Sequence, residues 1–180
     1  LQGLLTNDVT RLGPDEATHA ALLSPQGKIL FEMFVVRADD AYFLETGAAL
    51  LPDLLKKLGF YKLRARVEIR DLSDAVEVCA IWGGTVASDD VLVYADPRLP
   101  TLGQRAILPK GSFDSLSALA HLETPDDYHA HRILAGVPEA GRDYALGDTF
   151  PHEADMDQLR GVDFKKGCFV GQEVVSRMQH

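Results

Sequence analysis

The most informative stretch of the sequence contains one of its two cysteines and reads Lys165-Lys166-Gly167-Cys168-Phe169-Val170-Gly171-Gln172-Glu173. Lysines precede the cysteine, glycines lie on both sides of it, and a helical pattern begins at Gln172. A thiol is reactive when it is exposed and when positive charge or a helix N-terminus favours its thiolate. The glycines allow the backbone to turn sharply here. We therefore predict that Cys168 is a solvent-accessible, reactive thiol in a turn before a helix, near the mouth of a cavity.

The residues around Cys168 have an ordinary structural interpretation as well. A cysteine between glycines can be a small packed thiol, because free cysteine is among the most buried residue types. Lys165 and Lys166 can be a solvated pair, or they can lower the pKa of the thiol or hold the anionic tail of a ligand. Glu173 is favourable at a helix start on dipole grounds alone. Cys79 lies inside a predicted strand and is interpreted as a core cysteine.

The rest of the chain consists of short strands and a few helices. Two strands joined by a tight turn predict a hairpin over residues 20–23, 25–28 and 29–36. Further strands are predicted at residues 42–45, 67–70, 76–82, 91–95 and 105–108, and helices at residues 50–58 and 125–135. Gly59 is expected to end the first helix, and Thr124 is expected to cap the second. Hairpins and helices without regular βα alternation indicate an α+β fold with antiparallel sheets.

The composition of the 180 residues limits the classes of function. A net charge of −9 argues against a nonspecific nucleic-acid surface, which needs clustered Lys and Arg. No apolar run reaches the roughly 18 residues of a membrane-spanning helix. We therefore expect neither direct nucleic-acid binding nor a membrane partner. The two cysteines lie far apart and give neither a disulfide framework nor a zinc site, so we expect no metal ligands and a cytoplasmic, reducing location.

The pattern Lys-Gly-Cys-aromatic-x-Gly-Gln-Glu resembles the signature of the YgfZ family, folate-binding relatives of the glycine-cleavage T-protein, an aminomethyltransferase. Further blocks resemble the family in its order: residues 1–9, which resemble its opening helix, residues 96–105 and residues 132–138. The resemblance implies an aminomethyltransferase-like α+β fold, antiparallel sheets with flanking helices. It implies a folate-binding-type region at residues 1–110 and a second region at residues 111–180, interleaved around one cavity. It also implies an internal piece of a longer protein, without the C-terminal β-barrel domain.

The YgfZ family is tied to iron–sulfur cluster assembly or repair, and its bacterial members are often labelled tRNA-modifying proteins. The resemblance therefore implies tetrahydrofolate or another reduced folate as cofactor. It implies iron–sulfur proteins or assembly factors as partners, and an indirect effect on tRNA modification. Cys168 matches the cysteine of the family motif and is the expected catalytic residue. Lys166, Gln172 and Glu173, from the same motif, are expected to contact the ligand.

Four other residues are candidate folate contacts. Tyr128 and Arg132 are four positions apart on a predicted helix and share one face, which offers a flat ring and a cation to a pterin and its glutamate tail. In relatives, an aromatic residue at this place is a folate contact. Asn7 and Asp8 match an Asn-Asp pair at the folate cavity of the T-protein superfamily. Each has a structural alternative, because Tyr128 can pack on its own domain and Asn7-Asp8 can form a turn.

One block departs from the T-protein pattern. True T-proteins carry Asn-Glu-x-Gly-Gly-Ile-x-Asp-Asp, whose carboxylate serves aminomethyl transfer, whereas this hairpin has Phe31 and Glu32 in place of the two aspartates. The departure disfavours glycine-cleavage chemistry, and the cysteine motif favours an accessory role. Two functions stay open at this point. One is a folate-binding accessory protein that uses Cys168 in iron–sulfur cluster assembly or repair; the other is a tetrahydrofolate-dependent aminomethyltransferase or other one-carbon transferase.

Overall fold

The first sheet is built around the predicted hairpin. The computed structural model describes residues 1–88, 90–113 and 120–179. An antiparallel sheet contains, in order, the strands β1 (Ala17–Leu23), β2 (Ile29–Ala38) and β3 (Ala41–Glu45). The turn between β1 and β2 uses Gly27 at φ +84°, a left-handed conformation that glycine adopts without steric cost. The predicted hairpin is therefore confirmed, and the third strand follows it as expected.

A second antiparallel sheet has its last strand in the middle. Its strands are β4 (Val76–Ile81), β5 (Leu92–Ala95) and β6 (Gln104–Pro109), in the order β4-β6-β5. Each boundary lies within one residue of the range that the apolar pattern predicted. Val36 of β2, Tyr94 of β5 and Ile107 of β6 form one buried cluster. This cluster packs the second sheet against the first.

The described part of the chain has three α-helices, α1 (Leu51–Lys62), α2 (Pro125–Leu134) and α3 (Gln172–Met178). Thr124 caps α2 in a full capping box with Asp127, as the sequence indicated. The prediction that Gly59 ends α1 is wrong, because the helix continues to Lys62. Helical glycine costs only about 1 kcal/mol, and one turn further on Tyr61 packs against the core. Within the described residues, no helix has the length and apolar character to cross a bilayer.

Two segments differ from the expected secondary structure. Residues 1–9 form turns and not a helix, because their backbone groups bond elsewhere: Thr6 N–H donates to Ala21 C=O at 2.9 Å, and Leu5 bridges to Leu22 of β1. The half-buried strand predicted at 67–70 is also wrong. That segment belongs to no sheet, and its side chains are exposed.

Strand β1 is buried on both of its faces. Ala20 and Leu22 pack on one side with α1 and the N-terminal residues. Ala21 and Leu23 pack on the other side, in a cluster with side chains from the last part of the chain: Ala154, Met156, Val162, Phe169 and Val175. The two regions separated at residue 110 in the sequence analysis therefore share a core. The division into two interleaved regions itself stays a prediction.

Candidate functional site

Cys168 lies on the surface, in an irregular stretch just before the turn at residues 170–171 that leads into α3. Its thiol is exposed, while Phe169 beside it is buried in the core cluster that also holds Val175 of α3. The anchored ring holds the loop in place, so the neighbouring thiol stays turned to solvent on a fixed backbone. The expected exposure and the position before a helix are confirmed, while the turn itself lies at residues 170–171, two positions after Cys168.

Gly171 allows this turn to pack directly on the first hairpin. It has φ +79°, and a Cβ built there would lie 2.6 Å from the carbonyl oxygen of Ser24. Gly27, in the hairpin turn, is also closely packed, with its Cβ position 3.0 Å from Cβ of Val174. What approaches these glycines is therefore the protein's own backbone and side chains. Gly167, by contrast, faces open space.

Lys166 is a buried structural cation. Its side chain is 6% exposed, and its Nζ donates to the carbonyl oxygens of Gln2, Leu5 and Asn7 at 2.6, 2.6 and 2.8 Å. Burial lowers the pKa of this ammonium, against the opposing effect of the carboxylates of Asp8 and Asp163. Since an ammonium has three protons to donate, none is left for a ligand. This placement corrects the expected ligand contact, because Lys166 fastens the N-terminal segment to the thiol loop.

Gln172 and Glu173, the other motif residues, contact neighbours within or beside α3. Gln172 begins α3, and its Oε1 accepts a long 3.4 Å hydrogen bond from the N–H of Phe169. Glu173 is exposed and pairs with Arg177 one helical turn later, at 2.5 Å. The ligand-binding roles expected for Gln172 and Glu173 stay predictions.

A cavity of about 1190 Å³ lies beside these elements. Asn7 is the predicted ligand residue that lines it, together with Lys165 and Arg160. The amide of Asn7 donates to the carbonyl oxygens of His19 and Arg160 at 2.9 and 2.6 Å. Cys168 is not among the lining residues, so the expected position at the cavity mouth is not found; Lys165, three residues earlier, is the motif residue that reaches the cavity.

Asp8 forms a turn next to the cavity. Its Oδ1 accepts hydrogen bonds from the hydroxyl and the backbone N–H of Thr10, at 2.6 and 2.9 Å. Both hydrogen bonds lower the pKa of Asp8, and the one from the hydroxyl has the larger effect. Arg11 adds an ion pair at 3.2 Å. The turn that was the structural alternative for Asn7-Asp8 is therefore present, and a ligand contact of Asp8 stays a prediction.

Tyr128 faces a buried polar network between the sheets. Its Oη accepts hydrogen bonds from Arg98 and Arg105 at 3.0 and 3.1 Å. Arg98 forms a buried, bidentate ion pair with Asp96, and Arg105 pairs with Glu45. The sequence analysis did not select these four charged residues. One of its family-like blocks, residues 96–105, contained Asp96, Arg98 and Arg105, and that was the available signal.

Arg132 has a structural role, because its guanidinium bonds to other residues of the protein. Its guanidinium is 2% exposed and pairs with Asp143 and Glu139 at 2.5 and 2.9 Å, while it also donates to the carbonyl oxygen of Val137 at 3.0 Å. These bonds fix the chain that follows α2. Arg132 therefore does not present a free cation beside Tyr128, and this corrects the expected cradle for the glutamate tail of folate.

Glu32 is the centre of a second buried polar group. Its Oε1 lies 2.6 Å from Nε2 of His19, and its Oε2 accepts hydrogen bonds from Tyr144 Oη at 2.6 Å and Ala140 N–H at 3.1 Å. Burial opposes ionisation, but the hydrogen bond and charge of His19, with Tyr144 and Arg98, outweigh it and lower the pKa of Glu32. Burial and the adjacent Glu32 charge raise the pKa of Tyr144.

The described residues contain no group of three or more His, Cys, Asp or Glu side chains arranged to hold a metal ion. Cys79 is half-buried in β4, as expected for a core cysteine, and burial raises the pKa of its thiol. The exposed sulfur of Cys168 is thus the more accessible of the two thiols.

The architecture is an aminomethyltransferase-like α+β fold. Among solved structures, the glycine cleavage system aminomethyltransferase T from Bartonella henselae matches with a TM-score of 0.75 at 17% sequence identity, covering 99% of this chain and 57% of that chain. At this identity the match shows the fold, and it confirms the expected fold class. No protein-family model matches the chain.

Curated relatives carry the name iron-sulfur cluster assembly factor IBA57 homolog, mitochondrial. The protein of Mycosarcoma maydis is 32% identical over 100% of this chain and 49% of its own length. Those of Neurospora crassa and Dictyostelium discoideum are 28% and 27% identical, over 46% and 53% of their lengths. These matches confirm the predicted relationship, because the chain is similar over its whole length to IBA57 homologues, which are relatives of the YgfZ family. It spans about half the length of the curated relatives it matches.

The names of these relatives correct one expectation. The sequence analysis expected a cytoplasmic protein from the cysteine content, but the relatives are named mitochondrial. Cysteine usage therefore did not distinguish between the two locations.

Proposed function

We propose that this protein is an accessory factor in iron–sulfur cluster assembly or repair and that Cys168 is its reactive group. The observation that carries the proposal is the exposed thiol held on a fixed loop before α3. A thiolate is both a nucleophile and a soft ligand suited to iron–sulfur chemistry. The names of the relatives support the same function.

The cluster is the cargo in this proposal. One cysteine supplies one ligand, whereas clusters are usually held by four. The described residues provide no further thiol beside Cys168, since Cys79 lies in β4 of the second sheet. The remaining ligands therefore come from an assembly factor, a client protein or a small thiol. Effects on tRNA modification follow indirectly, through cluster-dependent modifying enzymes.

The same proposal gives the cavity a reduced folate as ligand. The cavity of about 1190 Å³ is large enough for a ligand of that size, since pockets for drug-sized ligands have volumes of about 300–1,000 Å³. Lys165 offers it a cation, and Asn7 lines its wall with an amide whose two donors bond to the carbonyl oxygens of His19 and Arg160. The likeness of the fold to an aminomethyltransferase supports a folate without identifying its form.

A complementation experiment tests the cysteine. In a deletion strain, wild-type protein and Cys79→Ser should restore the activity of cluster-dependent enzymes, and Cys168→Ser should not. Cys79→Ser is the matched control, because it removes the other thiol. A second arm uses Glu32→Gln, since transfer of a folate-bound carbon needs a proton-handling group such as this carboxylate. Loss of function with Glu32→Gln but not with Cys168→Ser would favour the one-carbon transferase.

A calorimetric titration with tetrahydrofolate tests the ligand. Wild type and Cys168→Ser should bind with the same affinity, because the thiol is not part of the cavity wall. Asn7→Ala and Lys165→Ala should bind more weakly, with Lys57→Ala as a control for the removal of a lysine on α1. Absence of heat with wild type, or equal affinity for all variants, would remove folate from the proposal and leave the cysteine function to its own test.

A further inference from the structure

Residues 63–70 form an exposed segment with two chemically different faces. The sequence Leu63-Arg64-Ala65-Arg66-Val67-Glu68-Ile69-Arg70 places apolar side chains at odd positions and charged ones at even positions. Such a period of two is the pattern of a strand with one apolar face. The segment nevertheless belongs to no sheet in the described chain.

The segment is exposed along its whole length. Every residue from 63 to 75 is solvent-exposed, with Leu63 at 85% and Val67 at 54%. Phe60, at the end of α1, adds a ring that is 75% exposed. Within the exposed stretch 63–75, backbone hydrogen bonds are made by Ala65 and Leu72. None joins residues 66–71 to another described part of the chain. An unpaired, strand-patterned segment with large exposed apolar groups is typical of an interaction site.

The exposed segment and the helix before it carry positive charge, whereas the protein as a whole is negative. The basic strand surface comprises residues 63–70 and the basic side chains of α1 that precede them, Lys56, Lys57 and Lys62. Glu68 is neutralised by a bidentate pair with Arg70, with both nitrogen–oxygen distances at 2.7 Å. No ion pair to a described residue is found for Arg64 or Arg66. A net positive surface is therefore present on a chain of net charge −9.

We propose that the basic strand surface binds an extended segment of an acidic partner protein by strand addition. The partner's backbone would satisfy the open N–H and C=O groups of residues 66–71, its apolar side chains would cover Val67 and Ile69, and its carboxylates would face Arg64 and Arg66. The surface thus takes a partner whose strand alternates acidic and apolar residues. This inference goes beyond the proposed cluster function and does not depend on Cys168.

Two other occupants fit the surface less well. An anionic lipid surface would attract the arginines, but it offers no partner to an unpaired, non-helical backbone, and such groups are costly away from water. A second copy of the chain would place arginine opposite arginine along the same face, and like charges in that position are destabilising. An acidic strand satisfies the backbone and the charge together.

The test uses the 180-residue protein and a synthetic peptide of about eight residues that alternates glutamate with valine, a length typical of a strand. Hydrogen exchange followed by NMR should show protection at every second amide of residues 64–70 on binding, because only one edge of a strand faces its partner. Arg66→Glu should weaken binding about fivefold or more. Arg177→Glu, an exposed arginine on α3, should leave binding unchanged, and Val67→Lys should weaken it through the apolar face.

Several outcomes would overturn the proposal. Equal binding of a peptide with lysine in place of glutamate would show that charge is not recognised. Protection of consecutive amides, or of none, would exclude strand pairing. Binding to phosphatidylglycerol vesicles without binding to the peptide would assign the surface to lipid. Self-association that Val67→Lys removes, without peptide binding, would assign it to a second copy.

Discussion

Replacing Glu32 should expose how much the buried carboxylate contributes to the fold. Three polar groups converge on it: Tyr144 Oη donates at 2.6 Å, Ala140 N–H donates at 3.1 Å, and His19 Nε2 lies 2.6 Å away. The His19 side chain is 1% exposed and that of Glu32 13%. Glu32→Ala removes the acceptor and leaves the donors in place. Glu32→Gln keeps an oxygen for Tyr144 and Ala140, and its amide can donate to a neutral imidazole.

The expected cost follows from these contacts. A buried donor without an acceptor costs about 1–3 kcal/mol, and breaking a buried ion pair costs about 3–5 kcal/mol. We therefore expect Glu32→Ala to lower the free energy of unfolding by about 4 kcal/mol. In a chain of 180 residues that is a fall in melting temperature of roughly 8–16 °C. Glu32→Gln loses only the charge and should cost about 1–2 kcal/mol.

Urea denaturation of wild type and both variants measures these differences, with Glu173→Ala on the exposed helix surface as a control expected within about 0.5 kcal/mol. The folded-state pKa of Glu32 is lowered, so its stabilisation is present above the ordinary pKa of 4.5 and is lost as the pH falls through the lowered value. The difference between wild type and Glu32→Gln should therefore shrink in acid. A Glu32→Ala cost below about 1 kcal/mol would refute the reasoning.

Two further substitutions test the loop that carries the thiol. Gly171→Ala should destabilise the protein by about 2 kcal/mol or more, because φ is +79° and the added Cβ would meet the carbonyl oxygen of Ser24 at 2.6 Å; thermal unfolding measures it, and an unchanged melting temperature would contradict it. Lys166→Met should cost about 3 kcal/mol, because the buried carbonyl oxygens of the N-terminal segment lose their charged donor. Lys165→Met on the exposed neighbour is the control, and equal melting temperatures for the two variants would show that the buried contacts add nothing.

Local signals predicted most of the secondary structure. The hairpin turn needs a left-handed residue and has Gly27, and α2 begins where Thr124 and Asp127 can form a capping box. These choices depend on a few neighbouring residues, so they can be recognised in the sequence. The end of α1 was misplaced because the packing of Tyr61 on the core outweighs the small penalty of Gly59.

The candidate site was predicted less completely, because charge pairing between distant residues has no local pattern. Arg132 was expected to face a ligand, but Glu139 and Asp143 use its guanidinium. The ion pair between Arg105 of β6 and Glu45 of β3 joins two strands that are neighbours only after the two sheets have packed. Spacing along one helix could place Tyr128 and Arg132 on the same face, but it could not show which carboxylates would reach them.

The sequence by itself determined the strand pattern, the helix caps and the thiol motif of this protein, because each rests on the periodicity or backbone freedom of adjacent residues. The tertiary structure decided which of two adjacent lysines is buried. Lys165 reaches the cavity, whereas Lys166 turns inward to three carbonyl oxygens more than 150 residues away in sequence. It also decided that residues 63–70, patterned as a strand, have no strand beside them. Whether a side chain or strand has a partner or faces solvent depends on how the whole chain packs, so a local sequence pattern cannot predict it.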